Sequence, residues 1–253
     1  MTQRVLITAG AGGIGLSIAK AFAANGARVH IADVNAEAVR EIIQQNPSIS
    51  GTVGDISQAA DLDILFQDVQ KQLGGLDVLV NNAGIAGATA PVADYPIDTW
   101  NAVVSINLTG TFMVTQRAIP LLKQSPAASI IVMSSLAGRF GYPNRVAYST
   151  TKWGLVGFTK TLSMELGPFG ITANTIHPGA VDGPRIQSVF EGRAKVSGRT
   201  AEEESNLALA NQSVKKFIDP ADIAALAVFL AGPHARTISG QMFPIDGDSK
   251  SST

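Results

Sequence analysis

Short β-branched runs alternate with helical patterns along almost the whole chain, and this alternation constrains the fold more than any single residue does. Strand-like runs are read at 5–8, 27–32, 51–53, 78–81, 129–133, 171–176 and 241–245. Between them lie helical patterns at 13–25, 35–45, 58–73, 97–117, 146–166 and 220–231. In the first of these, Ile14, Ile18, Ala21 and Phe22 share one face, and Gly26 supplies a left-handed stop. Parallel strands joined by helices cross over right-handedly, and a repeated series of such units closes into one twisted sheet. The pattern therefore predicts an α/β fold with a doubly wound parallel sheet of about seven strands and helices on both faces.

No linker or low-complexity stretch divides the 253 residues, so one domain over 1–253 is expected. The exception to regular patterning is 180–212, which is polar, charged and poorly periodic. Long inserts in compact domains usually serve function, so this segment is read as a mobile substrate-binding flap. Hydrophobic residues make up 45% and charged residues 15%, enough apolar surface for a sizeable core. The net charge of −1, without a long basic run, argues against nucleic acid or a membrane surface as the main partner. Absence of cysteine excludes disulfides, thiolate zinc sites and a cysteine nucleophile. His30, His177 and His234 are scattered without metal-ligand spacing, so no metal is expected. The start of the chain is too short an apolar run for a signal peptide, and no stretch approaches a membrane span, so a cytoplasmic protein is expected.

The first strand leads into Thr8-Ala9-Gly10-Ala11-Gly12-Gly13-Ile14-Gly15, and the first helix opens within that run. Gly10, Gly12 and Gly15 fit the Gly-x-Gly-x-x-Gly pattern in the required strand–turn–helix context. Glycines there let backbone N–H groups approach a pyrophosphate at the helix N-terminus. Asp33 ends the second strand. Its carboxylate suits an unmodified adenosine ribose and repels a 2′-phosphate, and no Arg or Lys stands at Gly12, Val34 or Asn35 to compensate. The expected cofactor is NAD.

Tyr148 and Lys152 are four residues apart on a predicted helix and so share a face. A phenol has a reference pKa of about 10, too weak a base at neutral pH, but a neighbouring ammonium favours the phenolate. Ser135 lies thirteen residues upstream of Tyr148, and Asn107 further back. Such a set can move a proton to or from an alcohol oxygen.

With both sites placed, the chain resembles the short-chain dehydrogenase/reductase family, Rossmann-like enzymes of the Tyr-x-x-x-Lys type, from Val5 to about Gly247. Thr8, Gly13 and Gly15 match the family's Thr-Gly-x-x-x-Gly-x-Gly, with Ala9 in place of its first glycine. Gly54-Asp55-Ile56 resembles the segment whose Asp and following residue contact adenine. Asn81-Asn82-Ala83-Gly84 matches the family's Asn-Asn-Ala-Gly, and His177-Pro178-Gly179 its Pro-Gly turn. The resemblance implies cofactor contacts at Thr8, Gly10, Gly12, Gly13, Ile14, Gly15, Asp33, Val34, Asp55, Ile56, Asn82, Ala83, Gly84, Tyr148, Lys152, Pro178, Gly179 and Val181. It implies that Tyr148 is the general acid/base, that Lys152 lowers its pKa and binds the nicotinamide ribose, and that Ser135 orients the substrate oxygen. Asn107 is implied to support a proton-relay water. Ser134 competes with Ser135 for its role, but the thirteen-residue spacing favours Ser135.

Where the family often has a Thr after its Pro-Gly turn, Gly183 stands, leaving Val181 to hold the carboxamide through its backbone. Pro184 is expected to stiffen the flap. Ala137, Arg145 and Arg185 are candidate substrate contacts, with Arg139 and Arg193 as further cations suited to an anion. The competing expectation is that these arginines pair with Glu191, Glu202, Glu203 or Glu204. The implied reaction is NAD-dependent hydride transfer between a secondary alcohol, small and polar or anionic, and its ketone. Alternatives are a 3-oxoacyl-type carbonyl reductase, a non-catalytic NAD-binding regulator, or an enoyl reductase, whose Tyr and Lys are more widely spaced. The family likeness also implies a homotetramer packed through the helices that carry Asn107 and Tyr148.

Overall fold

A computed structural model describes residues 2–252. Seven strands form one wholly parallel sheet: β1 (Arg4–Thr8), β2 (Arg28–Asp33), β3 (Ile49–Val53), β4 (Val78–Asn81), β5 (Ser129–Met133), β6 (Thr172–Pro178) and β7 (Met242–Ile245). Their order is β3-β2-β1-β4-β5-β6-β7, as predicted for a doubly wound sheet. Strands buried on both faces read as near-continuous apolar runs. β5, Ser-Ile-Ile-Val-Met, is buried throughout, and β4 likewise.

Three helices cover each face. On one side α1 (Gly13–Ala24), α2 (Ala36–Gln45) and α9 (Pro220–Leu230) bury Ile18, Phe22, Val39, Ile42, Ile223 and Leu230. On the other, α3 (Ala59–Leu73), α5 (Thr111–Leu122) and α6 (Val146–Leu166) bury Leu62, Val69, Val114, Leu122, Leu155 and Leu162. Between β1 and β4 the strand order reverses, and the carboxyl ends of those two strands open a crevice.

Two regions differ from the sequence expectation. The pattern at 97–117 predicted one uninterrupted helix. The structure has α4 (Ile97–Val104), a π-helical segment over Ser105–Gly110, and then α5, which runs on to Leu122. Gly110 lies so close to Ile56 that a Cβ would come within 2.9 Å of it, and Asn107 reaches sideways to the Ile85 backbone. Periodicity does not register a single widened turn of this kind.

The segment read as an irregular flap contains two helices, α7 (Pro184–Ser197) and α8 (Ala201–Ala210). Pro184 starts α7, Gly198 ends it in the left-handed region, and Thr200 with Glu203 makes a capping box for α8. The sequence reads as irregular here because its apolar periodicity is weak: α7 buries only Phe190, which packs against Phe217 at 6.0 Å.

Candidate active site

The glycine loop after β1 is held by side chains from the neighbouring strand. Thr8 Oγ1 accepts the N–H groups of Asn82 and Ala83, both at 3.0 Å, and Asn82 Nδ2 donates to the carbonyls of Thr8 and Ala9. Gly10 and Gly15 are glycines for packing: a Cβ would lie 2.6 Å from Ile31 Cγ2 in one case and 2.0 Å from the Ala9 carbonyl in the other. Thr8, Gly10, Gly15 and Ala83 thus shape the loop and do not line the cavity. Gly12, Gly13 and Ile14 do line it, and a Cβ on either glycine would meet only open space. Gly12 caps α1 without a side-chain bond, leaving the helix N-terminus open to the crevice. A dinucleotide's phosphates fit this arrangement, because an anion there meets backbone N–H groups with no side chain in between.

Ala9, in place of the family glycine, has φ +51°, a left-handed conformation that costs an L-residue about 1–2 kcal/mol. Asp33 Oδ2 accepts from the Ala11 N–H at 3.1 Å and Oδ1 from the Asn35 N–H at 3.0 Å, so the carboxylate is fixed at the rim. Val34 beside it is 68% exposed. Asp55 accepts the Ser57 N–H at 2.8 Å. Ile56 is buried with its side chain packed beneath Gly110, which leaves its backbone as the part that could meet an adenine ring.

Ser135, Tyr148 and Lys152 converge on one cavity of about 470 Å³, together with Asn82, Gly84, Pro178, Gly179 and Val181. Lys152 is 3% exposed, donates to the Met133 carbonyl at 2.8 Å, and holds its Nζ 5.5 Å from the Tyr148 ring centre. Ser134 also lines the cavity, and it donates its hydroxyl to the Lys152 carbonyl at 2.9 Å. That contact requires a glycine at 138, where a Cβ would sit 2.4 Å from Ser134 Oγ. The Asn107 amide is fully used within the protein. Oδ1 accepts the Ile85 N–H at 2.8 Å, and Nδ2 donates to the Ile85 carbonyl and to Thr151 Oγ1. The Asn107 backbone carbonyl accepts from Thr111 Oγ1.

Burial acts to raise the Tyr148 pKa, but Lys152 first, then Arg185, Ser135 and Arg145 outweigh it, and the phenol lies below its ordinary value. Lys152 is lowered by burial and by Arg185, against the pull of Tyr148. His177, a core residue, is pushed down to about 4 by burial. Its Nδ1 donates to the Ser135 carbonyl at 2.9 Å, so a neutral imidazole anchors the backbone of that serine.

The candidate substrate contacts divide. Ala137 is fully buried, its N–H donating to Ser135 Oγ and its carbonyl accepting from Ser149, so it does not reach the cavity. Arg139 is paired with Asp246 at 2.6 Å. Arg193 donates to the Tyr142 hydroxyl and the Ser252 carbonyl. Glu204 pairs with Arg199 instead of with any candidate. Arg145, Arg185 and Arg193 all line the cavity, and none of the three forms an ion pair among the described residues. Arg145 is 5% exposed, bonds Thr89 Oγ1 through Nη1 at 2.8 Å, and leaves Nε without a partner. Val181 lines the cavity with its own backbone N–H and carbonyl outside the bridge to Ile218, whose bonds use Asp182 and Ala180. Tyr142, Gln212, Ser249, Ser251 and Ser252 also line it. Nothing in their local sequence marked them, because they reach the site only through tertiary packing.

A family model described as "Enoyl-(Acyl carrier protein) reductase" matches residues 9–247. D-beta-hydroxybutyrate dehydrogenase of Cupriavidus necator is 40% identical over 251 residues, which cover 97% of this chain and 96% of that protein. Among solved structures, an NAD+-bound xylitol dehydrogenase superposes with a TM-score of 0.93 at 28% identity, covering 97% of this chain and 98% of the other. An actinorhodin polyketide ketoreductase with NADPH superposes with a TM-score of 0.92 at 30% identity, covering 97% and 96%.

Proposed function

Because the chain belongs to the short-chain dehydrogenase/reductase family and is an oxidoreductase of CH–OH groups, we propose NAD-dependent oxidation of a small, anionic secondary alcohol. The observation that carries the mechanism is the convergence of Ser135, Tyr148 and Lys152 on one cavity beside the open glycine loop. When bound, the nicotinamide supplies the hydride chemistry. Tyr148 accepts the hydroxyl proton as the C–H electron pair leaves, and it returns the proton in the reverse direction. Lys152 and the two cavity arginines stabilise the phenolate this requires. Ser135 holds the substrate oxygen against Tyr148. Asn107 has its amide committed, so its part in a proton relay falls to the backbone carbonyl, which can accept a second hydrogen bond from water.

NAD is preferred over NADP because the fixed Asp33 carboxylate repels a 2′-phosphate. Activity ratios with the two cofactors test this, and equal kcat/KM would refute it. We assign the anion to Arg145 and Arg185, since a buried guanidinium with an unpaired Nε favours a bidentate acceptor. The Cupriavidus relative acts, by its name, on D-beta-hydroxybutyrate, which makes 3-hydroxybutyrate the first compound to assay. Arg145→Ala should cost 3-hydroxybutyrate roughly tenfold or more in kcat/KM beyond the loss seen with neutral 2-butanol, which shares only the phenolate, as expected for loss of a charge-assisted bond. An unchanged preference would sink the assignment. No described helix is long and apolar enough to cross a membrane. A cytoplasmic homotetramer remains part of the proposal, with light scattering as its test.

A further inference from the structure

β7 does not end the ordered chain. Gly247 and Asp248 both adopt left-handed backbone, φ +63° and +56°, and two such residues in succession turn the chain back over the cavity. The turn is fixed by Asp246, whose Oδ1 accepts the Asp248 N–H at 3.1 Å and whose carbonyl accepts from Ser249 Oγ at 2.7 Å. Residues 249–252 then run beside the end of α8. Ser249 bridges Gln212, Lys250 donates its N–H to the Asn211 carbonyl, and Ser213 and Val214 donate theirs to the Gly247 carbonyl. Ser252 is 3% exposed and donates its hydroxyl to the Gly141 carbonyl.

Arg193 of α7 closes the seam. One nitrogen, Nη2, donates to the Ser252 carbonyl at 2.8 Å and to the Tyr142 hydroxyl at 2.6 Å. Tyr142 meets Tyr148 edge-on, ring centres 6.5 Å apart. The segment after β7 is therefore connected through one guanidinium to the aromatic neighbour of the proton-transferring phenol. Ser249, Ser251 and Ser252 face the same cavity as Ser135 and Tyr148. About 470 Å³ has to hold the nicotinamide as well as the substrate. The residues that close its far side therefore limit what fits beyond the reacting carbon.

We propose that residues 248–252, seamed to α7 by Arg193, form the end wall of the substrate pocket and set the upper size limit of the alcohol. This rests on the dehydrogenase reading above. It adds a segment that the glycine loop, the Tyr-x-x-x-Lys pair and the Pro-Gly turn do not reach. The serine hydroxyls of the wall are held within the protein, Ser249 on the Asp246 carbonyl and Ser252 on the Gly141 carbonyl, so the wall acts by its position.

Two variants test it: a chain ending at Gly247, and Arg193→Met in the full chain. Each is assayed with NAD on straight-chain 3-hydroxy acids from butyrate to decanoate. Binding of the matching 3-oxo acids to the NADH complex is followed in parallel by calorimetry. The shortened chain should shift the decanoate-to-butyrate ratio of kcat/KM by roughly tenfold or more, the scale set by a few methylenes in a pocket. Arg193→Met should shift it in the same direction by less. If both variants bind NADH and keep the parent's size ratio in turnover and in calorimetry, the wall is refuted. If the parent binds the short 3-oxo acids yet turns nothing over, the catalytic reading fails, and the size ratio in binding still decides the wall.

Discussion

The two ends of the cavity are built by different means. The nucleotide end is mostly backbone: Gly12, Gly13 and the start of α1, braced by Thr8 and Asn82 from adjacent strands. The substrate end is side chains and distant segments, with Arg145 from the head of α6, Arg193 from α7 and residues 248–252 beyond β7. A backbone cradle tolerates little variation in sequence, whereas a wall of side chains can be rebuilt without disturbing the sheet. That contrast explains how one scaffold holds a fixed cofactor and varied alcohols.

The largest effect should come from where the two ends meet. Tyr148→Phe is expected to lower turnover by about 10²–10⁴, the usual contribution of a general acid/base, with NADH titration unchanged. Near-normal turnover would leave the cavity without its proton carrier.

Lys152→Met probes the same junction through pH. Lys152 holds the Tyr148 phenol below its ordinary value, so the phenolate forms at lower pH while it is present. Removing it raises the phenol's pKa, and the rising limb of kcat/KM for oxidation should move to higher pH. Arg185 and Arg145 remain to favour the phenolate, so the limb should move without vanishing. A limb that stays in place would assign it to another group.

A third change separates the ends. In Gly15→Ala the new Cβ meets the Ala9 carbonyl at 2.0 Å, and overpacking of this kind costs about 1–3 kcal/mol. Urea unfolding should show that loss and NADH affinity should fall, while the size ratio among alcohols stays as in the parent. A changed ratio would mean that the two ends are coupled.

Ala9→Gly is the smallest. It relieves left-handed strain but adds chain entropy to the unfolded state, so a net gain below about 1 kcal/mol is expected. Denaturant midpoints measure it, and a loss would show that the Ala9 methyl has a packing role.

The same contrast governs what the sequence disclosed. The parallel sheet followed from alternating patterns, and the glycine loop and the Tyr148–Lys152 pair are local signals with fixed spacing. Ser135 could be placed because its offset from Tyr148 is set by one connection. Arg145, Arg139 and Arg193 could not be told apart, since Arg145 lines the cavity with Nε unpaired, Arg139 is neutralised by Asp246, and Arg193, also at the cavity, ties the segment after β7. Ala137 was expected at the substrate and lies in the core, because the turn after Ser135 directs its methyl inward. Distinctions of that kind depend on which way a loop faces, and composition carries no record of it.

The π-helical segment has a consequence for how this chain can vary. A widened turn takes up one residue more than the helix around it would, so it acts as a phase shifter between α4 and α5. Asn107 lies inside it, while Val114, Ala118 and Leu122 must still meet the sheet beyond it. Shortening the widened turn by one residue would close it to α geometry and leave the later side chains of α5 in phase, whereas the same deletion within α5 would rotate everything after it by about 100°. The tolerance for a change of length is thus concentrated in the one turn that holds Asn107.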